Sequence, residues 1–262
     1  MTWFQVFILS LIEGLTEFLP VSSTGHIVLF TKILGIPFTD FIKLFTVAVQ
    51  LGAIVAVVVL YFKRFFQTID FYLKLFVAFL PAAVFGVLLG DMIDNLLESP
   101  LGIGISLFCG GVIFIFIDRW LPERDEKQQG EVTYRNSLFI GLFQCIALIP
   151  GVSRSGATIV GGMAQKFSRK AAAEFSFFLA VPTMFGATAK KLYDFLKIHG
   201  IPEGEQIKVL CIGNLIAFIV AIFGMKFFVS LLTRYGFKIF GWYRILIGIV
   251  IILTAVFYSD WK

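Results

Sequence analysis

Along this chain, long apolar runs alternate with short polar ones, a pattern that predicts helices crossing a membrane. Six continuous apolar segments, at 41–62, 73–90, 101–120, 173–190, 209–228 and 241–258, approach or reach the length a bilayer core requires, about 20 residues. Two other stretches, Thr2 to Gly35 and Ser137 to Phe167, are apolar but broken. Each holds two apolar pieces of roughly 10–14 residues around a polar centre with proline and glycine, which predicts a re-entrant hairpin rather than a span. The expected fold class is an all-α polytopic membrane protein, with six transmembrane helices and two re-entrant helix hairpins.

The two broken stretches match each other. Phe18-Leu19-Pro20-Val21-Ser22-Ser23-Thr24-Gly25 is answered, with one insertion, by Leu148-Ile149-Pro150-Gly151-Val152-Ser153-Arg154-Ser155-Gly156. Further on, Val47-Ala48-Val49 is answered by Leu179-Ala180-Val181. The chain therefore divides into halves 1–120 and 136–262, joined by a linker, 121–135, within the charged stretch Asp118–Arg135. Each half has one hairpin and three spans. Three is odd, so the second half is expected upside down relative to the first, an inverted repeat that brings the broken elements together near the midplane.

Composition agrees with a lipid environment. The 262 residues are 58% hydrophobic and only 15% charged, against about 45–50% apolar and about 25% charged in soluble domains; the mean hydropathy is +0.92. The net charge of +5 opens the question of nucleic acid. The basic residues, however, fall in short loops between apolar runs, so topology accounts for them and no nucleic-acid partner is expected. Fourteen Lys and Arg fall on the linker side, Lys127 and Arg244 among them, against seven on the other side, Lys262 included. The linker should then be cytoplasmic and both termini external. Cys109, Cys145 and Cys211 are isolated within apolar runs and read as buried small hydrophobes, without disulfide or metal spacing. Met1-Thr2-Trp3-Phe4 has no positive n-region, and the N-terminal stretch reads as part of the mature chain.

Ionisable groups at membrane depth cost roughly 2.5–3.5 kcal/mol each, so they call for a function. Glu13, Glu17, His26 and Arg154 all fall in the broken stretches. Glu13 and Glu17, spaced i, i+4, share a helix face. Two adjacent carboxylates repel unless a proton or a cation lies between them, and their hard oxygens suit a divalent metal, Mg²⁺ or Ca²⁺. A capping or snorkelling pair at the membrane edge is the alternative. Ser23, three residues before His26, is a candidate nucleophile beside a base. Gly25 and the helix it opens offer backbone N–H groups to an anion; Ser22 and Thr24 join that site or simply cap the helix. In the second stretch the Arg154 guanidinium stands among Ser153, Ser155, Gly156 and Thr158, a setting that suits phosphate. A structural ion pair from Arg154 to Glu17 is the competing reading.

These residues resemble a known family. Glu13-Gly-Leu-Thr-Glu17-Phe-Leu-Pro-Val-Ser-Ser-Thr-Gly-His26 is similar to the first signature of the BacA-type undecaprenyl-diphosphate phosphatases, and Pro150-Gly-Val-Ser-Arg-Ser-Gly-Ala-Thr158 to the second. Glu174-Phe-Ser-Phe-Phe-Leu-Ala-Val-Pro182 agrees as well, so the resemblance covers essentially the whole chain. It implies metal-dependent hydrolysis of undecaprenyl diphosphate to undecaprenyl phosphate and phosphate, recycling the lipid carrier of peptidoglycan synthesis and conferring bacitracin resistance. The implied setting is the bacterial cytoplasmic (inner) membrane, with the site open to the outer face and a polyprenyl diphosphate lipid as substrate. It also implies Glu13 and Glu17 as the acidic motif, Ser23 as nucleophile, His26 as an acid/base, and Arg154 with Ser153 and Thr158 on phosphate.

Ser23-Thr24-Gly25-His26 and Ser153-Arg154 also look superficially like the PAP2-type phosphatases. That chemistry needs two histidines, and His199, the only other one, is expected in an external loop beside Gly200. In-line attack by Ser23, with His26 or Glu17 taking its proton, is the expected mechanism; direct attack by water is its rival. A polyprenyl-phosphate flippase is the alternative from another class, because broken inverted repeats are common in transporters. A homodimer stays open.

Overall fold

Each half of the chain begins with the same local device. Thr2 and Thr133 head capping boxes with Gln5 and Asn136, starting α1 (Trp3–Thr16) and α7 (Tyr134–Ile146). Both helices stop short of a proline turn, and a serine restarts the chain. Ser22 accepts from the Gly25 N–H to open α2 (Ser23–Ile33), and Ser153 accepts from the Gly156 N–H to open α8 (Arg154–Ala164). Such caps satisfy N–H groups that find no water at membrane depth. The two broken stretches are thus pairs of short helices, as their interrupted pattern predicts.

The computed structural model describes residues 1–37, 39–64, 68–97, 99–125 and 132–257. Lys127, Lys262 and residues 126–131 of the expected linker lie outside the described residues. Among the described residues, six helices are long and apolar enough to cross a membrane: α3 (Asp40–Leu60), α4 (Ile69–Leu88), α6 (Pro100–Trp120), α9 (Arg169–His199), α10 (Gly204–Tyr235) and α11 (Lys238–Phe257). The protein is a multi-pass, all-α membrane protein. A short helix, α5 (Gly90–Leu97), which the apolar pattern does not announce, links α4 to α6.

Helices α9 and α10 are 31 and 32 residues long and outrun the expected 173–190 and 209–228. The apolar run marks only the part suited to lipid. The helix itself continues through polar residues until a left-handed glycine stops it, Gly200 at φ +74° and Gly236 at φ +69°. His199, expected in a loop, is therefore the last residue of α9, with Nε2 2.9 Å from Asp40 Oδ2.

Packing runs across the halves. Helix α6 lies against α11, α3 against α9, α1 against α10 and α4 against α7. Exchanging each helix for its counterpart in the other half maps these pairings onto themselves, the relation expected of two repeats about a two-fold axis. The α6–α11 seam shows how close the contact is: a Cβ on Gly111 would stand 2.7 Å from Gly241 O, and one on Gly241 2.8 Å from Gly111 O. Small residues let membrane helices approach to backbone distance, where dispersion replaces the hydrophobic effect. Inside, Phe18, Phe177, Phe228 and Phe240 form a chain of ring contacts with centroids 5.3, 6.0 and 5.6 Å apart. At the linker end, Asp118 accepts from Arg169 and from the backbone N–H groups of Phe237 and Lys238, fastening α6 to α9 and to the α10–α11 turn.

Two expectations need correction. Cys109 and Cys211 are exposed on the outer faces of their helices and Cys145 is half-buried; in lipid a thiol needs no protein burial, so an apolar run does not fix which way it points. Arg244, counted among the loop cations, is only 1% exposed within α11. It belongs to the interior.

Candidate active site

The two proline turns meet inside the bundle, and their restart serines fix the start of the next helices. Because Ser22 and Ser153 are the caps, Ser23 and Arg154 occupy the first positions of α2 and α8. These repeat-equivalent side chains converge on one carboxylate. Ser23 Oγ donates to Glu17 Oε2 at 2.6 Å, and Arg154 Nη2 donates to Glu17 Oε1 at 2.7 Å. The guanidinium is held from behind, where Nη1 donates to the Ser176 carbonyl at 3.1 Å. Ser22 itself sits in the left-handed region at φ +67°, a conformation that costs about 1–3 kcal/mol in a non-glycine residue and tends to persist at functional sites. Gly151, the inserted residue of the second turn, has φ +91°, and a Cβ there would stand 2.6 Å from Ile103 O.

A cavity of about 410 Å³ opens onto this cluster. Glu13, Glu17, Ser22, Ser23, Thr24, Ser153 and Arg154 form its polar end. Lys43, Lys190, Lys191 and Asp194 also line it, and the partial exposure of Lys190 and Asp194 marks the open end. Phe79, Ala82, Ala83, Val87, Ile93, Leu148 and Met184 supply an apolar wall. The arrangement suits a ligand with an anionic head and an apolar body.

The remaining expected residues lie elsewhere. His26 is buried and both its ring nitrogens are engaged by groups other than Ser23: its Nδ1 is 2.8 Å from the Ser22 carbonyl and its Nε2 is 2.7 Å from the Tyr243 hydroxyl. A carbonyl only accepts, so Nδ1 carries a proton and, in the neutral ring, Tyr243 donates to Nε2. Gly25, Ser155, Gly156 and Thr158 do not line the cavity. The Gly25 and Gly156 N–H groups are taken by the caps. Ser155 donates to the Leu19 carbonyl at 2.9 Å, which ties α8 to the first turn. Thr158 pairs with Ser176 at 2.7 Å, behind Arg154.

Glu13 is the unusual member. It is fully buried, and its polar neighbour is the Glu17 carboxyl, which can pair with it only through a shared proton or a cation. An ionised carboxylate left so is costly, and a cation or a proton would relieve it. Among the described residues no group of three or more His, Cys, Asp or Glu side chains gathers. Among those residues the polar end of the site offers two carboxylates, Glu13 and Glu17. That set fits Mg²⁺, which is commonly held by one or two carboxylates with water and phosphate completing its shell.

A family model described as "Bacitracin resistance protein BacA" matches residues 6–250. The chain belongs to the BacA family. A member named undecaprenyl-diphosphatase from Flavobacterium johnsoniae is 58% identical over 259 residues, covering 98% of this chain and 97% of that protein. Another of that name, from Flavobacterium psychrophilum, is 57% identical, with coverage of 98% and 97%. A third, from Aquifex aeolicus, is 46% identical, with coverage of 95% and 97%.

Three residues of this BacA chain reach the site without any mark in its two signatures. Ser176 holds Arg154 from α9. Tyr243 meets His26, and Arg244 reaches both proline turns, donating to Pro20 O at 3.1 Å and Gly151 O at 3.0 Å. The available signal was the Tyr243-Arg244 pair inside an apolar run. A lone arginine there belongs with the other ionisable groups at membrane depth rather than with the loop cations.

Proposed function

We propose that this chain hydrolyses undecaprenyl diphosphate to undecaprenyl phosphate and inorganic phosphate. The observation that carries the reading is the buried Ser23–Glu17–Arg154 cluster at the polar end of a cavity whose wall is apolar. The names of the relatives agree with it. Ser23 Oγ attacks the terminal phosphorus and its proton passes to Glu17, the acceptor it already touches. The bond from that phosphorus to the bridging oxygen breaks, and undecaprenyl phosphate leaves with the electron pair. Water then cleaves the phosphoserine and restores Ser23. Arg154 would exchange its bond to Glu17 for the phosphoryl oxygens, which frees the carboxylate to take the proton while the guanidinium meets developing charge. His26 would act at one remove, holding the Ser22 turn on which Ser23 stands. Glu13 and Glu17 would hold a divalent cation, Mg²⁺ or Ca²⁺, which when bound supplies charge neutralisation at phosphate.

The proposed setting is the bacterial cytoplasmic membrane, with the two halves inverted and the lysine-lined mouth on the outer face, where the charge bias puts Lys43, Lys190 and Lys191. Recycling of the wall-lipid carrier and bacitracin resistance would result. A polyprenyl-phosphate flippase could share the broken helices, but a carrier has no need of a serine hydroxyl held on a buried carboxylate. Purified protein in detergent micelles, which enclose no compartment, is expected to release phosphate from undecaprenyl diphosphate. Lipid translocation in vesicles with no phosphate release in micelles would establish the carrier instead.

A further inference from the structure

We infer that Arg244 is a positioning residue for this hydrolysis: it locks the two proline turns to each other and so keeps Ser23 and Arg154 convergent on Glu17. The inference rests on the hydrolase reading above. Helix α11 delivers the guanidinium to a place where both turns present backbone carbonyls. Nη1 donates to Pro20 O at 3.1 Å, and Nη2 donates to Gly151 O at 3.0 Å and to Ser106 O at 3.5 Å. Its face lies over the Phe114 ring, 5.1 Å from the centroid. Turn carbonyls at membrane depth have neither helix partners nor water, so a side chain has to satisfy them. Arginine suits the task because its planar fork places separate donors toward separate acceptors, whereas a lysine donates from one point. Pro20 stands three residues before Ser23, and Gly151 three before Arg154, so a fixed distance between the two carbonyls fixes the two side chains that meet on Glu17. Arg244 does not line the cavity, and both its terminal nitrogens donate to carbonyls. It acts through the turns rather than on phosphate.

Gly110 supplies a test that leaves Arg244 in place. A Cβ at Gly110 would press on Nη2 and stand 3.1 Å from Cζ of Arg244, so Gly110→Ala must displace the guanidinium, while alanine suits a helix better than glycine. Steady-state phosphate release from undecaprenyl diphosphate should be measured, per folded molecule in detergent, for wild type, Gly110→Ala, Arg244→Lys and the double variant. A misplacement near 1 Å at a reacting centre costs about 10²-fold. Each single variant is therefore expected to lose on the order of 10- to 10²-fold in kcat with KM within a few-fold. The double variant is expected to be no slower than Arg244→Lys alone, because the alanine acts only by moving Arg244. Wild-type kcat in Gly110→Ala, or singles whose losses multiply, would overturn the inference. So would a lower folded yield with unchanged turnover per folded molecule. If Arg244→Lys does not fold, Gly110→Ala alone decides. A wild-type protein that releases no phosphate would instead overturn the hydrolase reading.

Discussion

Glu17 receives one side chain from each half of the chain, and Glu13 beside it receives none. The spacing of the two glutamates showed that they share a helix face, and the cost of burying them pointed to function. Periodicity could not show that Glu17 takes the serine and arginine donors while Glu13 is left with the Glu17 carboxyl as its polar neighbour, because the donors come from α2 and α8. In the same way, the nearness of Ser23 to His26 in sequence suggested a nucleophile beside its base, and one turn of α2 does place them on one face, yet they take different partners, Ser23 the Glu17 carboxylate and His26 the Ser22 carbonyl and the Tyr243 hydroxyl. Glu13 carries the metal prediction. Chelation is expected to abolish phosphate release, with Mg²⁺ or Ca²⁺ restoring it, and either ion is expected to raise the melting temperature of wild type but not of Glu13→Gln. Full activity after exhaustive chelation, with no thermal shift on adding metal, would leave a proton as the companion of the glutamate pair.

At the scale of elements, the apolar pattern located all six spans and both broken hairpins. It misjudged helix ends, since α9 and α10 continue through polar residues to Gly200 and Gly236, and it gave no sign of α5. Hydropathy reports which residues suit lipid, whereas helix ends are set by caps and glycines. Partner choice was equally hidden, since the glycines that admit a neighbour look like any others in an apolar run. The α6–α11 seam exposes this to test. Gly111→Val places a branched side chain where a Cβ alone would stand 2.7 Å from Gly241 O. Overpacking of this kind typically costs about 1–3 kcal/mol. The variant is expected to insert but to melt several degrees below wild type in detergent, and an unchanged melting temperature would mean the seam opens freely.

For the molecule as a whole, the paired proline–serine motifs raised the expectation of an inverted repeat, and in the structure the helices pair across the two halves, α6 with α11, α3 with α9, α1 with α10 and α4 with α7. The charge count needs one change, because Arg244 is interior. Thirteen cations then remain on the linker side against seven, and the bias keeps its sign. Both termini are accordingly expected to be labelled by an impermeant reagent from outside intact cells; labelling of only one would break the inverted arrangement. The central claim is that the two halves build one hydrolytic unit, with the nucleophile from α2 and the phosphate-holding guanidinium from α8. An ion pair to Glu17 that served only stability would need a positive charge and nothing more, so Arg154→Lys would keep its turnover. In a catalytic unit, losses do not multiply, because a clamp aimed at a missing nucleophile has little left to contribute. The decisive measurement is kcat for phosphate release by Ser23→Ala, Arg154→Lys and the double variant, each corrected for folded protein. Arg154→Lys is expected to lose roughly 10²–10³-fold, Ser23→Ala at least as much, and the double variant little more than Ser23→Ala alone. Wild-type turnover in either single variant, or a double variant slowed by the product of the two losses, would contradict the account.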